Sequence, residues 1–115
     1  MKKLLKRVTV LGESYSIHSG TELDYPGLKV SDGYCDVSIK QIIVRDCSTC
    51  EEEPGVKGDL GRYQRQVIRH ELCHAFAYES GLEGNSWAEN EEIIDWTAIQ
   101  FPKLARLFTA AKCEQ

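Results

Sequence analysis

Long apolar runs are missing from this sequence, and so is the apolar core of a secretory leader. No stretch approaches the roughly 20 apolar residues that a membrane-spanning helix needs. The basic start, MKKLLKR, is followed at once by VTVLGESYS, which is too polar to continue a signal peptide. We therefore expect no membrane association and a location in the cytoplasm.

Positive charge is scarcer than negative charge. The chain has 14 Lys and Arg residues against 18 Asp and Glu residues, which gives a formal net charge of −4. Such a balance provides no general surface for polyanions, so we expect no nucleic-acid partner. The length of 115 residues fits a single domain, residues 1–115, with one hydrophobic core.

The sequence contains five cysteines. An odd number argues against a disulfide framework in a chain without a secretory leader. Cys47 and Cys50 form a C-x-x-C pair, which is half of a structural zinc site. No second pair of this kind follows, although Cys35 or Cys113 could complete the site in space. The pattern favours free thiols in a loop over a second metal site. Cys73 is expected to pack as a small apolar side chain.

Strand-like segments are confined to the first half of the sequence. RVTVLG and SYSIHSG alternate apolar and polar residues around a turn at Gly12-Glu13, and TELDYPGL is typical of a loop. GYCDVSIKQIIVRD predicts a hairpin whose best strand contains Ile42, Ile43 and Val44. CSTCEEEPGVKG is rich in turn residues and predicts a surface loop.

The second half of the sequence is helical in character. DLGRYQRQVIRHELCHAFAYESG predicts one long helix, with Asp59 as its N-cap and Gly81 just past its end. A second helix is predicted from the S-x-x-E capping box at Ser86 to about Gln100, and Pro102 is expected to break or kink it before KLARLFTAA. Strands followed by helices predict an α+β fold. A small N-terminal antiparallel or mixed sheet would pack on the long helix and on a C-terminal helix pair.

The stretch RHELCHAF places two histidines four residues apart on the long helix, with Glu71 directly after the first of them. His70 and His74 would share one helix face, so both imidazoles can reach one ion at Zn–N distances of about 2.0–2.1 Å. In this H-E-x-x-H motif the glutamate is the general base of a metallopeptidase. The competing interpretation is a pair of helix histidines satisfied by ordinary hydrogen bonds.

A third ligand is expected from the second helix, because a catalytic zinc needs three protein ligands and an open position. Its acidic segment offers Glu89, Glu91 and Glu92. Glu91 shares a stripe with apolar residues at steps of three and four, which predicts a core-facing position, whereas Glu89 and Glu92 lie well round the helix. The stripe comprises Trp87, Glu91, Ile94, Ala98 and Phe101. The alternative for Glu91 is an exposed charge on an acidic helix.

Asp95 follows Glu91 by one turn, on a neighbouring face of the same helix. There it could accept a hydrogen bond from the free N–H of a liganding histidine and hold the tautomer of that ring. A solvated carboxylate, or a partner for an arginine, is the alternative. His18 is the only histidine outside the motif and is interpreted as a surface or packing residue rather than a ligand.

The segments HELCH and NEEIID together resemble the gluzincin pattern, H-E-x-x-H followed by N-E-x-x-x-D. The short spacing between them, the E-x-x-x-D-x-x-A that ends at Ala98, and the small size are most similar to ImmA/IrrE-like and related zinc peptidases of phages and prophages. The resemblance covers about residues 30–101. No part of the chain is left over to match the DNA-binding domain that some relatives carry.

This resemblance implies a minimal zincin-like fold with one catalytic Zn²⁺ ion. His70, His74 and Glu91 would be the zinc ligands, Glu71 the general base and Asp95 the residue that supports a ligand. The resemblance also implies that a strand beside the long helix receives an extended peptide, and QIIVR is the candidate strand. A phage-encoded protein of this kind would act in the cytoplasm of its bacterial host.

The function predicted from these residues is zinc-dependent hydrolysis of a peptide or protein substrate. Tyr78, one turn past His74, is the candidate donor to the developing oxyanion, although a packing tyrosine is the more ordinary interpretation. One rival is a catalytically silent adaptor or binding protein of phage or prophage origin, stabilised by zinc. Another is a metal-free helix-hairpin module that binds a protein partner through Ile93, Trp96 and Ile99.

Overall fold

A computed structural model of the protein describes residues 2–46, 60–82 and 86–115. These residues form an α+β fold, as expected, with a four-stranded mixed sheet and two 20-residue helices. Short 3₁₀ helices at Pro26–Lys29 and Trp87–Glu89 precede β3 and α2. The main elements in chain order are β1 Lys3–Val10, β2 Glu13–Gly20, β3 Gly33–Asp36, β4 Gln41–Arg45, α1 Leu60–Glu79 and α2 Glu91–Ala110.

The strand order in the sheet is β1-β2-β4-β3. β1 and β2 form an antiparallel hairpin, β2 and β4 are parallel, and β3 and β4 form the second hairpin that the sequence predicted. The turn of the first hairpin lies one residue earlier than expected. Both Leu11 and Gly12 have positive φ angles, of 47° and 89° respectively, as the central pair of a tight hairpin turn requires.

The prediction that QIIVR receives an extended peptide is wrong for this fold. β4 is an interior strand, and both of its edges are paired, one with β2 and the other with β3. Its consecutive apolar residues Ile42, Ile43 and Val44 are all buried, which is the pattern of a strand covered on both faces. The strand at this edge of the sheet is β3 instead.

The hydrophobic core lies between the sheet and α1. Tyr15, Ile42, Val44 and Ala75 are fully buried there, and Val67 is among the partly buried side chains of α1 packed against them. The long helix is therefore attached to the sheet along one face, which leaves its other faces for α2 and solvent.

α1 ends as the sequence predicted, but its start cannot be compared in full. Gly81 has a φ of +81°, the left-handed conformation that glycine adopts most readily just past a helix end. Asp59, the predicted N-cap, lies outside the described residues. The predicted surface loop, residues 47–58, lies outside them as well, together with Cys47 and Cys50.

The sequence predicted a break or a kink at Pro102, and the break is wrong, because the predicted C-terminal helix pair is one continuous helix. α2 runs through Pro102 to Ala110. A proline inside a helix removes the N–H that would bond the carbonyl four residues earlier, here that of Ala98. Arg69 of α1 supplies the missing donor, because its Nε lies 2.5 Å from the carbonyl oxygen of the buried Ala98.

The second helix also begins later than the capping box predicted. The Ser86 side chain accepts a hydrogen bond from the Ala88 N–H, but it caps only the short 3₁₀ helix. Asn90 has an extended backbone and is the N-cap of α2, with its side chain accepting from the Glu92 N–H. This extended residue changes the helical phase between Trp87 and α2.

The stripe that was predicted to face the core is only partly buried. Ile94 and Ala98 are buried, whereas Trp87, Glu91 and Phe101 are exposed. Trp87 leaves the stripe because it belongs to the separate 3₁₀ helix, and Phe101 lies beyond the narrow strip of α2 that α1 covers. No helix within the described ranges combines the length and the apolar character that a bilayer crossing requires.

Candidate metal centre

The two histidines of the H-E-x-x-H motif lie side by side on α1. His70 Nε2 and His74 Nε2 are 3.2 Å apart, and the ring centroids are separated by 4.9 Å in an edge-to-face arrangement. Both side chains are partly buried. The one-turn spacing of the motif therefore directs two nitrogen atoms to the same point in space, as the sequence predicted.

Glu91 completes a set of three donors at this point. Its Oε2 lies 3.1 Å from His70 Nε2, and its Oε1 lies 3.0 Å from His74 Nε2. Glu91 is the first residue of α2, so the chain that leaves α1 at Glu79 returns to the level of the histidines before the second helix begins. The Glu91 side chain is nonetheless 63% exposed, so the donor set opens toward solvent.

Asp95 contacts the outer nitrogen of one ring. Its Oδ1 lies 2.7 Å from His70 Nδ1, a distance at which the carboxylate accepts a hydrogen bond from an Nδ1–H group. In that tautomer the Nε2 atom of His70 carries a lone pair, which then faces a Glu91 carboxylate oxygen. Two acceptors at this distance repel each other unless a proton or a metal ion lies between them. This group of side chains could therefore hold a metal ion.

The separations between the donors fit a tetrahedral zinc ion. Two ligand atoms at about 2.0–2.1 Å from such an ion are about 3.3 Å apart. His70 Nε2, His74 Nε2 and the Glu91 oxygens are separated by 3.0–3.2 Å. Two imidazoles and one carboxylate are also a ligand set that zinc prefers in catalytic sites. These residues could therefore hold a zinc ion with little movement.

Glu71 lies next to this donor set without being part of it. Its Oε2 is 3.9 Å from His70 Nε2, and its side chain is buried. Burial raises the pKa of Glu71, and the carboxylates of Glu91 and Asp95 add to that effect while His70 opposes it. Burial also lowers the pKa of His74, which favours the neutral ring that a metal ligand must have.

The carboxylates of the site are paired with histidines rather than with lysine or arginine. In the parts of the chain that the structure describes, no lysine or arginine forms a salt bridge with Glu71, Glu91 or Asp95. Within the same residues, His70 and His74 are the side chains of opposite sign that contact them. A divalent cation would supply the missing charge.

A cavity of about 590 Å³ opens beside the donor set and reaches the edge of the sheet. His70, Glu71 and His74 form one wall, and Tyr34 and Cys35 of β3 lie on another. A smaller cavity of about 180 Å³ shares Gly33, His70 and Glu71 with the first and extends toward Asp32, Tyr63 and Asp95. The two cavities together form a groove that runs past the site on both sides.

Gly33 accounts for the position of β3 at this groove. A Cβ atom added at Gly33 would lie 2.6 Å from Val67 Cγ1 of α1, so only glycine lets strand and helix approach so closely. Sequence reasoning missed Gly33, and it considered Cys35 only as a possible partner of Cys47 and Cys50, not as part of this cavity wall. A glycine at the start of a predicted strand is the signal that could have indicated close backbone approach.

The structure places the remaining predicted residues as follows. Tyr78 lines the large cavity, and Lys40 Nζ lies 5.6 Å from the centroid of its ring. Its role as an oxyanion donor stays a prediction. His18 Nε2 lies 2.9 Å from Ser16 Oγ within β2, an ordinary local hydrogen bond.

Burial raises the pKa of the Cys35 thiol to about 12.

Comparisons of the chain with protein-family models, with curated proteins and with solved structures find no match. What can be said of function therefore rests on the residues and on their geometry.

Proposed function

We propose that this protein is a zinc-dependent peptidase with a minimal zincin-like fold. The observation that carries the proposal is the convergence of His70, His74 and Glu91, whose donor atoms lie 3.0–3.2 Å apart beside the carboxylate of Glu71. Three protein ligands leave a fourth tetrahedral position for water or substrate, which is the arrangement of a catalytic rather than a structural zinc site.

The proposed chemistry divides between the ion and Glu71. A bound zinc ion would polarise the scissile carbonyl group and make a water molecule more acidic. Glu71 accepts the proton of the attacking water and returns it to the leaving amine. The 3.9 Å that separates Glu71 from His70 Nε2 suits a base that lies near the ligands without joining them.

Asp95 and Tyr78 have supporting roles in this proposal. Asp95 holds the His70 ring so that Nε2 faces the ion, and it makes that nitrogen a better donor. Tyr78 belongs to the same cavity wall as His74, which supports its assignment as a hydrogen-bond donor to the oxyanion. One such donor contributes about 3–4 kcal/mol to transition-state stabilisation in other enzymes.

The peptide substrate is proposed to bind along β3. The Arg45 N–H donates to the Asp32 carbonyl oxygen at 2.9 Å, so the backbone groups of Asp32 point toward β4. Because these directions alternate along a strand, the N–H and C=O groups of Cys35 point away from β4. Cys35 also lines the cavity beside the donor set. An extended peptide pairing with this edge would pass the metal centre.

The proposed compartment is the cytoplasm, in a bacterial host if the protein is encoded by a phage. Among the described residues, Cys35, Cys73 and Cys113 are all free thiols. Unpaired cysteines are the usual state in a reducing compartment.

The decisive experiment combines metal analysis of the purified protein with cleavage of a mixed peptide library followed by mass spectrometry. We expect one zinc ion per chain and library cleavage that a chelator abolishes. Glu71→Gln should keep the zinc and lower the cleavage rate by about 10²–10⁴-fold. The matched control is Glu92→Gln, because Glu92 is also a glutamate but lies exposed on α2.

Each alternative result has a distinct meaning. Equal cleavage by wild type and Glu71→Gln would show that Glu71 is not the base. A protein that retains no zinc when purified in its presence would rule out the metal centre. Stoichiometric zinc without any cleavage by the wild type would favour the zinc-stabilised adaptor protein over the peptidase.

A further inference from the structure

The outward face of α2 carries a regular stripe of five exposed residues. Glu92, Trp96, Ile99, Lys103 and Arg106 follow one another at steps of four, three, four and three, so they share one side of the helix. Trp96 is 55% exposed and Ile99 is 44% exposed. We call these five residues the α2 stripe.

The α2 stripe lies opposite the side of the helix that packs on the rest of the protein. Ile94 and Ala98 are the buried residues of α2, and α1 is its main packing partner. Ile93 and Leu107 are also large apolar residues that stay exposed, and they flank the stripe on one side. Contiguous exposed apolar surface with charged neighbours marks a site of protein contact.

The charges along the α2 stripe are complementary to those of a second α2 stripe that runs in the opposite direction. Glu92 lies seven residues before Ile99, and Arg106 lies seven residues after it. Trp96 lies three residues before Ile99, and Lys103 lies four residues after it. A twofold axis through Ile99 therefore places each acidic end opposite a basic end, and each tryptophan beside a lysine.

We propose that the α2 stripe is the contact surface of an antiparallel homodimer, so that its occupant is the α2 stripe of a second copy of this chain. Ile99 would meet its own copy at the axis. Glu92 would pair with Arg106 of the other copy, and the Trp96 ring would face its Lys103 as a cation–π contact. Parallel pairing would instead oppose like charges along the whole stripe, so the charge order selects the antiparallel arrangement.

The dimer contact is small. Residues 92 to 106 extend over about 21 Å of helix, and one helix from each copy supplies the stripe. Such a contact belongs with interfaces below about 1,200 Å², which form weak and reversible complexes. The dimer is therefore in a concentration-dependent equilibrium with the monomer.

The dimer and the metal centre use neighbouring faces of α2. Glu91 and Asp95 contact the histidines of α1. Asp95 also lies one helical turn from both Glu92 and Ile99, so the α2 stripe runs beside the metal centre. None of the five stripe residues is a proposed zinc ligand or the proposed base, so dimerisation can be tested whether or not the protein is a peptidase.

The test is sedimentation velocity of the wild type and of charge-reversal variants over a concentration series. The single reversals remove the charge complementarity between the two copies, and the double reversal restores it. Glu92→Lys and Arg106→Glu should each weaken dimerisation by about tenfold or more, because each one opposes like charges twice across the axis. The double variant Glu92→Lys/Arg106→Glu restores both pairs and should recover the wild-type dissociation constant. Glu22→Lys and Lys29→Glu are the controls, since they make the same charge changes at exposed positions outside α2.

Ile99→Glu provides a second test, which does not depend on restoring the dimer with a further substitution. It places two carboxylates at the axis and should leave the protein monomeric, while circular dichroism shows the helix content of the wild type. A wild type that stays monomeric at the highest concentration overturns the inference. Dimerisation that is unchanged in Ile99→Glu, or that the double charge reversal fails to recover, overturns it equally.

Discussion

α1 carries two clusters of charged side chains that differ in how their charges are balanced. At its C-terminal end, Glu79 accepts a hydrogen bond from the buried Tyr15 hydroxyl at 2.6 Å and pairs with Lys40 Nζ at 2.7 Å. In its middle, His70 and Glu71 lie among carboxylates with no lysine or arginine paired to them in the described residues. The first cluster pairs its carboxylate with a lysine, whereas the second is a group of side chains that could hold a metal ion.

The two clusters also differ in how the protein shifts the pKa of their glutamates. The pKa of Glu79 is lowered by its hydrogen bonds to Lys40 and Tyr15, so the ionised form is favoured where it lies. The pKa of Glu71 is raised, mainly by burial, so the same ionised form is disfavoured there. A carboxylate held in unfavourable surroundings beside two imidazoles is the pattern of a site that acts on a ligand.

The largest effect that should distinguish the two clusters comes from the metal ion. Zinc at one hundred times its dissociation constant would stabilise the fold by about 2.7 kcal/mol. In a chain of this size that corresponds to a rise in Tm of about 10 °C. Calorimetry with zinc and with a chelator should show this difference for wild type but not for His74→Ala.

The matched control for this prediction is His18→Ala, which removes the histidine of β2 and should keep the full zinc response. A wild-type Tm that is the same with zinc and with chelator would contradict the assignment of the second cluster as a metal centre.

The next effect concerns a hydrogen bond between the Arg69 guanidinium group and a backbone carbonyl group. Arg69 donates to the Ala98 carbonyl group that Pro102 leaves without a helix partner. Arg69→Ala should therefore lower the free energy of unfolding by about 1–3 kcal/mol, the usual penalty for a buried acceptor without a donor. Urea titration measures it, and Arg65→Ala, an exposed position on the same helix, is the control.

A double-mutant cycle tests the cause of this effect. In a Pro102→Ala background, the new N–H can bond the Ala98 carbonyl group, so Arg69→Ala should cost less than it does in wild type. Equal losses in both backgrounds would show that Arg69 acts through some other contact.

The same chemical change in the two clusters should alter stability in opposite directions. In the metal-free protein at neutral pH, Glu79→Gln should lower Tm, whereas Glu71→Gln should raise it. Glu79 contributes stability above the ordinary glutamate pKa and loses it as pH falls through the lowered pKa of the folded state. Glu71 lowers the stability of the metal-free protein as pH rises from the ordinary glutamate pKa through the raised pKa of Glu71 in the folded state.

Melting curves recorded from about pH 2 to pH 7 check both signs: the Glu71 difference should shrink as pH falls toward the ordinary glutamate pKa of about 4.3, and the Glu79 difference should shrink only below it. If the two variants shift Tm in the same direction at pH 7, the contrast between the clusters is wrong.

The smallest effect is a difference in thiol reactivity, and it tests whether Cys35 is as shielded as the cavity wall suggests. A pKa of about 12 leaves about one Cys35 thiol in ten thousand ionised at pH 8. We expect iodoacetamide to modify Cys35 at least about tenfold more slowly than the exposed Cys113. Peptide mass spectrometry over time measures both rates, and equal rates would contradict the burial of Cys35.

Local sequence signals predicted the helices and strands better than they predicted which of these elements lie side by side. The alternation of β1 and β2, the hairpin of β3 and β4, and Gly81 at the end of α1 are all present in the structure. These features depend on the backbone preferences of single residues and on the alternation of apolar and polar side chains. Both are determined by residues that are close together in the sequence. The order of strands in the sheet depends on distant residues, and QIIVR was accordingly misassigned as a strand open to a peptide.

The errors in α2 have the same origin. Proline is a reliable helix breaker only where nothing replaces the hydrogen bond that it removes, and Arg69 replaces it from another helix. Ser86 was predicted to cap the second helix, but it caps only the short 3₁₀ helix, and the extended Asn90 is the N-cap of α2. The helical phase assigned to Trp87 was lost at that residue, so its predicted burial was wrong.

The sequence by itself determined that His70 and His74 share one face of α1, because residues four apart on a helix must do so. It also determined the mirrored order of charge along the outward face of α2. Only the tertiary structure decided that Glu91 reaches both rings and that β3 borders the groove. Those positions depend on how two helices and a sheet pack together, and packing is a property of contacts between residues far apart in the chain.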